Sequence, residues 1–259
     1  MPIHLARILI YPVKSLPPAD VAEARVLPGS GLAGDRQFAI FNGSEEVVNG
    51  KRCERIHHLQ SEISFADRRL QLWSDMPPAA RQAFDLTADR TAADHWLTAW
   101  FGEPVHLREN AAVGFPDDTL APGPTVISTA TLAAVADWFG LSLDEVRRRF
   151  RANLEIGGGE PFWEDRLYGP EGQPVPFRIG EALLAGMNPC QRCAVPTRDS
   201  RTGRADARFA KQFASHRAAT LPAWADKSRF DHFYRLAVNT RVLNEQPARL
   251  GVGDEVHLG

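Results

Sequence analysis

The 259-residue chain has few cysteines, no long apolar run and almost no net charge, and each shortage removes a class of protein. Cys53, Cys190 and Cys193 are too few, and odd in number, for a disulfide framework. They point to a reducing compartment, with the cytoplasm as the expected location. No apolar stretch approaches the roughly 20 residues that a membrane helix needs. The opening segment lacks a basic region followed by a long apolar one, so it reads as a first β-strand and not an export signal. A net charge of −2, from 30 basic and 32 acidic side chains, offers no bulk attraction to nucleic acid or an acidic membrane. Repeats are absent. So are a glycine-rich dinucleotide fingerprint and a Walker motif; Gly157-Gly158-Gly159 reads as a bend.

Hydrophobic residues at 44% and charged residues at 24% are ordinary for a globular protein, and the length suits one large domain or two small ones. The pattern predicts strands at 3–13, 22–27, 36–41, 63–65 and 70–73, then a helix over 93–101 ending at Gly102. A Pro- and Asp-rich link around Pro116-Asp117-Asp118 sets the expected boundary between units of 1–115 and 116–259. Beyond it come a strand at 126–128, a helix capped by Ser128 or Thr129 with Leu132, Val135 and Phe139 on its apolar stripe, and a short helix over 144–150. Strands are expected at 153–156, 177–179, 182–184, 236–238 and 256–258, with mixed, partly helical character over 207–221. Strands dominate without alternating with helices, which predicts an α+β fold, mostly β and barrel-like.

The segment Asn188-Pro189-Cys190-Gln191-Arg192-Cys193 carries the most chemistry. A zinc site would need further soft ligands, with only Cys53 to add. A thioredoxin-like redox pair would open a helix, which Pro196 breaks. Two buried small apolar side chains are also compatible with the spacing. The remaining reading is a single thiolate ligand to a metal that arrives in an organic cofactor, with Arg192 lowering the thiol pKa. Such a cofactor needs cations for its anionic groups. Lys14, Arg36 and Arg151 each stand at a turn or strand end with a polar neighbour, although any one of them alone could be a surface residue. Ser128 has two roles open to it, phosphate donor and helix cap.

The ordered set Tyr11-Pro12-Val13-Lys14-Ser15, Gly34-Asp35-Arg36, Phe150-Arg151-Ala152-Asn153, Glu164-Asp165, Cys190-Gln191-Arg192-Cys193 and Val252-Gly253-Asp254 resembles the MOSC family. Within it, the set is similar to the bacterial relatives of the mitochondrial amidoxime-reducing component, in which an N-terminal β-barrel module precedes a β-barrel MOSC domain. The resemblance implies that Cys193, not Cys190, ligates molybdenum. It implies that Lys14, Ser15, Arg36, Arg151 and Asn153 bind the molybdopterin cofactor, and that Thr197 and Asp199 lie near the metal. Asp199 or Asp165 is then a candidate proton relay. The implied activity is reduction of N-hydroxylated small molecules (hydroxylamines, amidoximes or N-hydroxy nucleobases). A separate electron donor of flavin-reductase or ferredoxin type is implied, since no four-cysteine set could hold an iron–sulfur cluster. The other function considered is a carrier of the cofactor, or of a sulfur atom, without turnover. The sequence departs from the family at Asn49-Gly50-Lys51-Arg52, where relatives often carry Thr-Ala-Arg-Gln.

Overall fold

Segments rich in Val, Ile and Leu pair into one large sheet that draws on both ends of the chain. The computed structural model describes residues 2–76 and 80–259. The first part contains β1 (His4–Ile10), β2 (Ala19–Val21), β3 (Glu23–Val26), β4 (Phe38–Asn42), β5 (Leu59–Ser64), β6 (Arg69–Ser74), β7 (Gln82–Asp85), helix α1 (Arg90–Phe101) and β8 (Val105–Glu109). The second contains β9 (Val126–Ser128), α2 (Thr129–Phe139), α3 (Leu143–Phe150), β10 (Leu154–Gly157), β11 (Val175–Ile179), β12 (Ala182–Gln191), α4 (Phe209–Ala219), β13 (Arg235–Val242), β14 (Ala248–Gly251) and β15 (Val256–Leu258).

Eight strands form a mixed sheet in the order β15-β11-β12-β13-β9-β10-β1-β2. The sheet closes on itself, because Leu5 N–H donates to Asp254 O at 2.8 Å and Val256 N–H donates to Ile3 O at 3.0 Å. The interior is a continuous apolar core that includes Leu5, Ile8, Leu154, Phe177, Leu184 and Val238. Closure pairs backbone groups that an open sheet would leave at its edges. The protein is therefore α+β and mostly β. A second core, built around Phe38, Ile40, Leu97 and Trp100, lies under α1, β4–β8 and the β5-β6-β7 sheet. A third joins α2, α3 and α4 through Leu132, Phe150, Phe209 and Phe213. Pairings cross residue 115: β1 lies against β10, and β3 against β14.

Local chemistry explains the elements that shape the site. Ser128 caps α2, its hydroxyl accepting from Thr131 N–H at 3.1 Å. Ser142 and Glu145 have the capping-box spacing at the start of α3, and Ser142 accepts from Glu145 N–H at 3.1 Å. Helix α3 ends on Arg151, in the left-handed region at φ 53°. Strand β12 runs through Asn188-Pro189-Cys190, well past the predicted end at Leu184. Register shifts at 186/188 and 189/191 accommodate the proline, which a regular central strand would not.

Gly186 lies where β12 passes closest to another backbone: a Cβ there would stand 1.7 Å from Leu167 O. Gly186→Ala is expected to destabilise the fold by about 2–3 kcal/mol. Chemical denaturation checks this, and an unchanged midpoint would show that the strand can move away from Leu167.

Candidate functional site

The N-terminal segments and the barrel together enclose an open cavity of about 1200 Å³. Eleven lysines and arginines line it against three aspartates, in a chain whose overall charge is nearly balanced. That imbalance is local and creates a positive potential inside a concave, partly desolvated space.

Lys14, Ser15, Arg36 and Arg151 all reach this cavity. Their anchor is Tyr11, wholly buried at the end of β1, with its hydroxyl donating to Ala152 O at 3.2 Å. The guanidinium groups of Arg151 and Arg36 lie over its ring, 4.2 and 5.5 Å from the centroid. Burial pushes the Tyr11 phenol up to about 12 against the pull of both arginines, so it stays neutral. Asp35 fixes the second layer. One carboxylate oxygen accepts from Tyr11 N–H at 2.8 Å and from Asn153 Nδ2 at 3.0 Å; the other pairs with Arg36. Lys14 donates to Phe115 O at 2.9 Å and pairs with Asp117 at 3.1 Å. Burial pulls the Lys14 ammonium below its usual range, with Asp117 opposing. Asp117 itself resists burial and is held at about 2 by Lys14 and Arg36. Ser15, Arg36 and Arg151 have φ of 73°, 50° and 53°. Left-handed backbone at three non-glycine residues of one cavity is strain that only strong surrounding constraints maintain.

Cys190 and Cys193 also line the cavity, both partly exposed. Arg192 was expected to act on the ligating thiol. Its Nη1 lies 3.2 Å from Cys190 Sγ, because residues two apart in an extended segment share a face, and both Cys190 and Cys193 help hold its guanidinium charged against burial. Its Nη2 donates to Phe150 O at 2.6 Å, which ties the cysteine segment to the end of α3. The carbonyl of Cys193 accepts from Tyr234 Oη at 3.3 Å. Among the described residues, no three His, Cys, Asp or Glu side chains converge as a metal-binding set, so the zinc reading has no geometry behind it.

Four expected site residues do not line the cavity: Ser128, Asn153, Thr197 and Asp199. Ser128 is fully buried and spent on its cap. Asn153 acts one layer behind, through Asp35 and through Leu9 O at 3.0 Å. The Thr197 hydroxyl donates to Ala194 O at 2.7 Å within its own turn. Asp199 Oδ1 accepts from Arg201 N–H, Thr202 N–H and Thr202 Oγ1 at 3.1, 2.8 and 2.9 Å in a tight turn, while its Oδ2 lies 4.0 Å from Nη2 of the wall residue Arg149. Asp165 is buried beside Arg217, away from the cavity. Its neighbour Glu164 is 1% exposed and accepts from Thr131 Oγ1 at 2.9 Å; burial, with Asp165 adding to it, pushes it up to about 7. Reading the sequence set His57 aside as a poor candidate and did not assign Arg148, Arg149, Arg198, Arg201, Arg229 and Arg235 to the site, yet all of them reach the cavity. The arginine run at 147–151 was the available signal. Asn49, Gly50 and Lys51 of the departing segment also line the wall.

Two family descriptions match this chain: the MOSC domain over residues 124–257 and the MOSC N-terminal beta barrel domain over residues 3–110. The chain belongs to the MOSC family. It is 28% identical over 228 residues to a molybdenum cofactor sulfurase of Drosophila mojavensis, covering 77% of this chain and 28% of that protein. A human molybdenum cofactor sulfurase is 22% identical over 252 residues, covering 78% and 27%. The chain thus spans less than a third of the length of these relatives. Among solved structures, the YUAD protein from Bacillus subtilis aligns over 100% of this chain and 96% of its own, with 13% identity and a TM-score of 0.41. Among the described residues, no helix is long and apolar enough to cross a membrane.

Two outcomes test the assignments behind the wall. Ser128→Ala is expected to cost about 1 kcal/mol of stability while leaving anion binding in the cavity unchanged; weakened anion binding would return Ser128 to the site. Glu164 keeps its proton in the folded state up to about pH 7, against 4.5 for its ordinary value. Its contribution to stability is therefore present below pH 4.5 and lost as pH rises through about 7. Glu164→Gln should lack that loss, so the wild-type-minus-variant difference in unfolding free energy should fall across this window. A flat difference would contradict the assignment.

Proposed function

We propose that this chain binds the molybdenum cofactor in the cationic cavity and there reduces N-hydroxylated small molecules (hydroxylamines, amidoximes or N-hydroxy nucleobases). The observation that carries the reading is the meeting, in one cavity, of a cysteine thiol and an excess of arginine. The residues fit the group. Soft thiolate sulfur suits a molybdenum centre, and paired guanidinium N–H donors suit a phosphate. Arg192 and Arg198, both on the wall, each keep a buried Nε with no acceptor. Cys193 would ligate the metal, and Lys14, Ser15, Arg36 and Arg151 would hold the pterin and its phosphate. Asn153 would act through Asp35.

When bound, the cofactor supplies two-electron redox chemistry. Reduction of an N–OH group to N–H consumes two electrons and two protons and releases water; the electrons would come from a separate flavin-reductase or ferredoxin-type partner. The chain's own residues bind and orient. The Tyr11–Asp35 frame sets the arginines before any ligand arrives, so little ordering cost falls on binding. His57 also lines the wall, with Nε2 3.2 Å from Gly50 O, and burial pulls its imidazole below the usual range.

A second reading has its own support. The curated relatives are molybdenum cofactor sulfurases of which this chain matches less than a third. On that reading the chain carries the cofactor, or a sulfur atom on Cys193, without turnover. Assay of an N-hydroxy compound with an artificial electron donor separates the two, since a carrier retains cofactor and shows no reduction.

Cys193→Ser is expected to abolish metal retention and turnover. Cys190→Ser should retain most of both, because a serine hydroxyl can still accept from Arg192. Measurement of molybdenum content and rate in both variants checks this; equal loss would point to a two-cysteine site.

A further inference from the structure

The cavity holds more positive charge than one cofactor phosphate explains. Among the described residues, six of its eleven cations have a carboxylate within 4 Å; Arg151, Arg192, Arg198, Arg201 and Arg229 have none. Arg151 and Arg192 belong together at the end of α3, where Arg192 donates to Phe150 O. Lys14 and Arg36 are balanced by Asp117 and Asp35, and the two unpaired charges of Arg151 and Arg192 already match the roughly two negative charges that a phosphate monoester carries, which leaves Arg198, Arg201 and Arg229 over.

Arg198 and Arg201 belong to a different piece of chain. They lie at the base and tip of a turn closed by Asp199 N–H to Arg204 O and by Gly203 N–H to Asp199 O, each 2.9 Å. Arg198 Nη1 donates to Gly203 O at 2.8 Å and its Nη2 to Lys51 O at 3.5 Å, which fixes this turn beside Lys51. Two segments far apart in sequence thus present cations at one place, with the backbone bonds already made. The side chain of Arg201 is exposed on the cavity, and Arg198 Nε has no acceptor. The volume of about 1200 Å³ also exceeds the roughly 300–1,000 Å³ typical for one small ligand.

We propose that Arg198 and Arg201, with Lys51 beside them, form a second anion subsite that holds a phosphate monoester on the substrate. The preferred substrates are then phosphorylated N-hydroxy compounds, not neutral ones. This inference rests on the reductase reading for its chemistry but not for its binding site. Fixed guanidinium groups that meet a phosphate lower its dissociation constant through charge-assisted hydrogen bonds, and this effect is screened by salt.

The test compares N-hydroxylated cytidine with its monophosphate as substrates of the cofactor-loaded protein, using an artificial electron donor. Binding of cytidine monophosphate is measured in parallel by calorimetry, with wild type and Arg201→Ala; Arg201→Ala removes an exposed side chain. The monophosphate is expected to have a KM at least about tenfold lower than the unphosphorylated compound. Arg201→Ala should raise that KM about tenfold, weaken cytidine monophosphate binding in parallel, and move the unphosphorylated compound far less. Molybdenum and pterin content should stay unchanged. Equal KM values for the two compounds would overturn the subsite. So would loss of molybdenum and pterin in Arg201→Ala, because the guanidinium would then serve the cofactor's own phosphate. If neither compound is reduced, Arg201-dependent binding of cytidine monophosphate upholds the subsite while the reductase reading falls; no such binding overturns the subsite as well.

Discussion

The largely buried carboxylate of Asp35, its side chain 10% exposed, ties the site together. It accepts from the Tyr11 backbone at the end of β1, accepts from Asn153 ahead of β10, and pairs with Arg36. Removing it would leave Arg36 desolvated without its counter-charge and two donors without their acceptor, a heavier loss than any one contact suggests. Through it the first strand, the turn at 34–36 and the end of α3 are held in one arrangement. The left-handed backbone of Ser15, Arg36 and Arg151 is kept by these bonds, and the same bonds aim the cations into the cavity.

Barrel closure gives this frame its rigidity. β1 pairs with β10 and β2 on its two sides, and its first residues pair with the chain's last turn at Asp254 to Val256. The cysteine segment reaches the same cavity on the bulged end of β12 and is tied to the end of α3 by Arg192. A cavity walled by segments from both halves of the chain concentrates charge that the sequence as a whole does not show.

Much of the fold was legible because it rests on local chemistry. The strands near 4–10, 38–42, 154–157 and 256–258, the helix that closes at Gly102, and the Ser128 cap follow from apolar periodicity and turn residues. Strands β2, β7, β8 and β14 were missed; each is three to five residues long and set by its partner more than by its own composition. The extension of β12 through Pro189 was hidden because a bulge, invisible in sequence, makes the proline acceptable. At the site, Lys14, Ser15, Arg36, Arg151 and Cys193, the residues named by the resemblance, all reach one cavity. Thr197 and Asp199 stand close to Cys193 in sequence, yet the Thr197 hydroxyl and Asp199 Oδ1 are used within their own turns and only Asp199 Oδ2 faces outward, 4.0 Å from Arg149 Nη2. The arginines that come from distant segments, Arg229 and Arg235, could be assigned only once the chain was folded.

The most direct test is elemental analysis of the protein purified from a host that makes molybdopterin, paired with pterin fluorescence after oxidation. Near-stoichiometric molybdenum together with pterin is the expected result. Zinc in place of molybdenum, with no pterin, would contradict it.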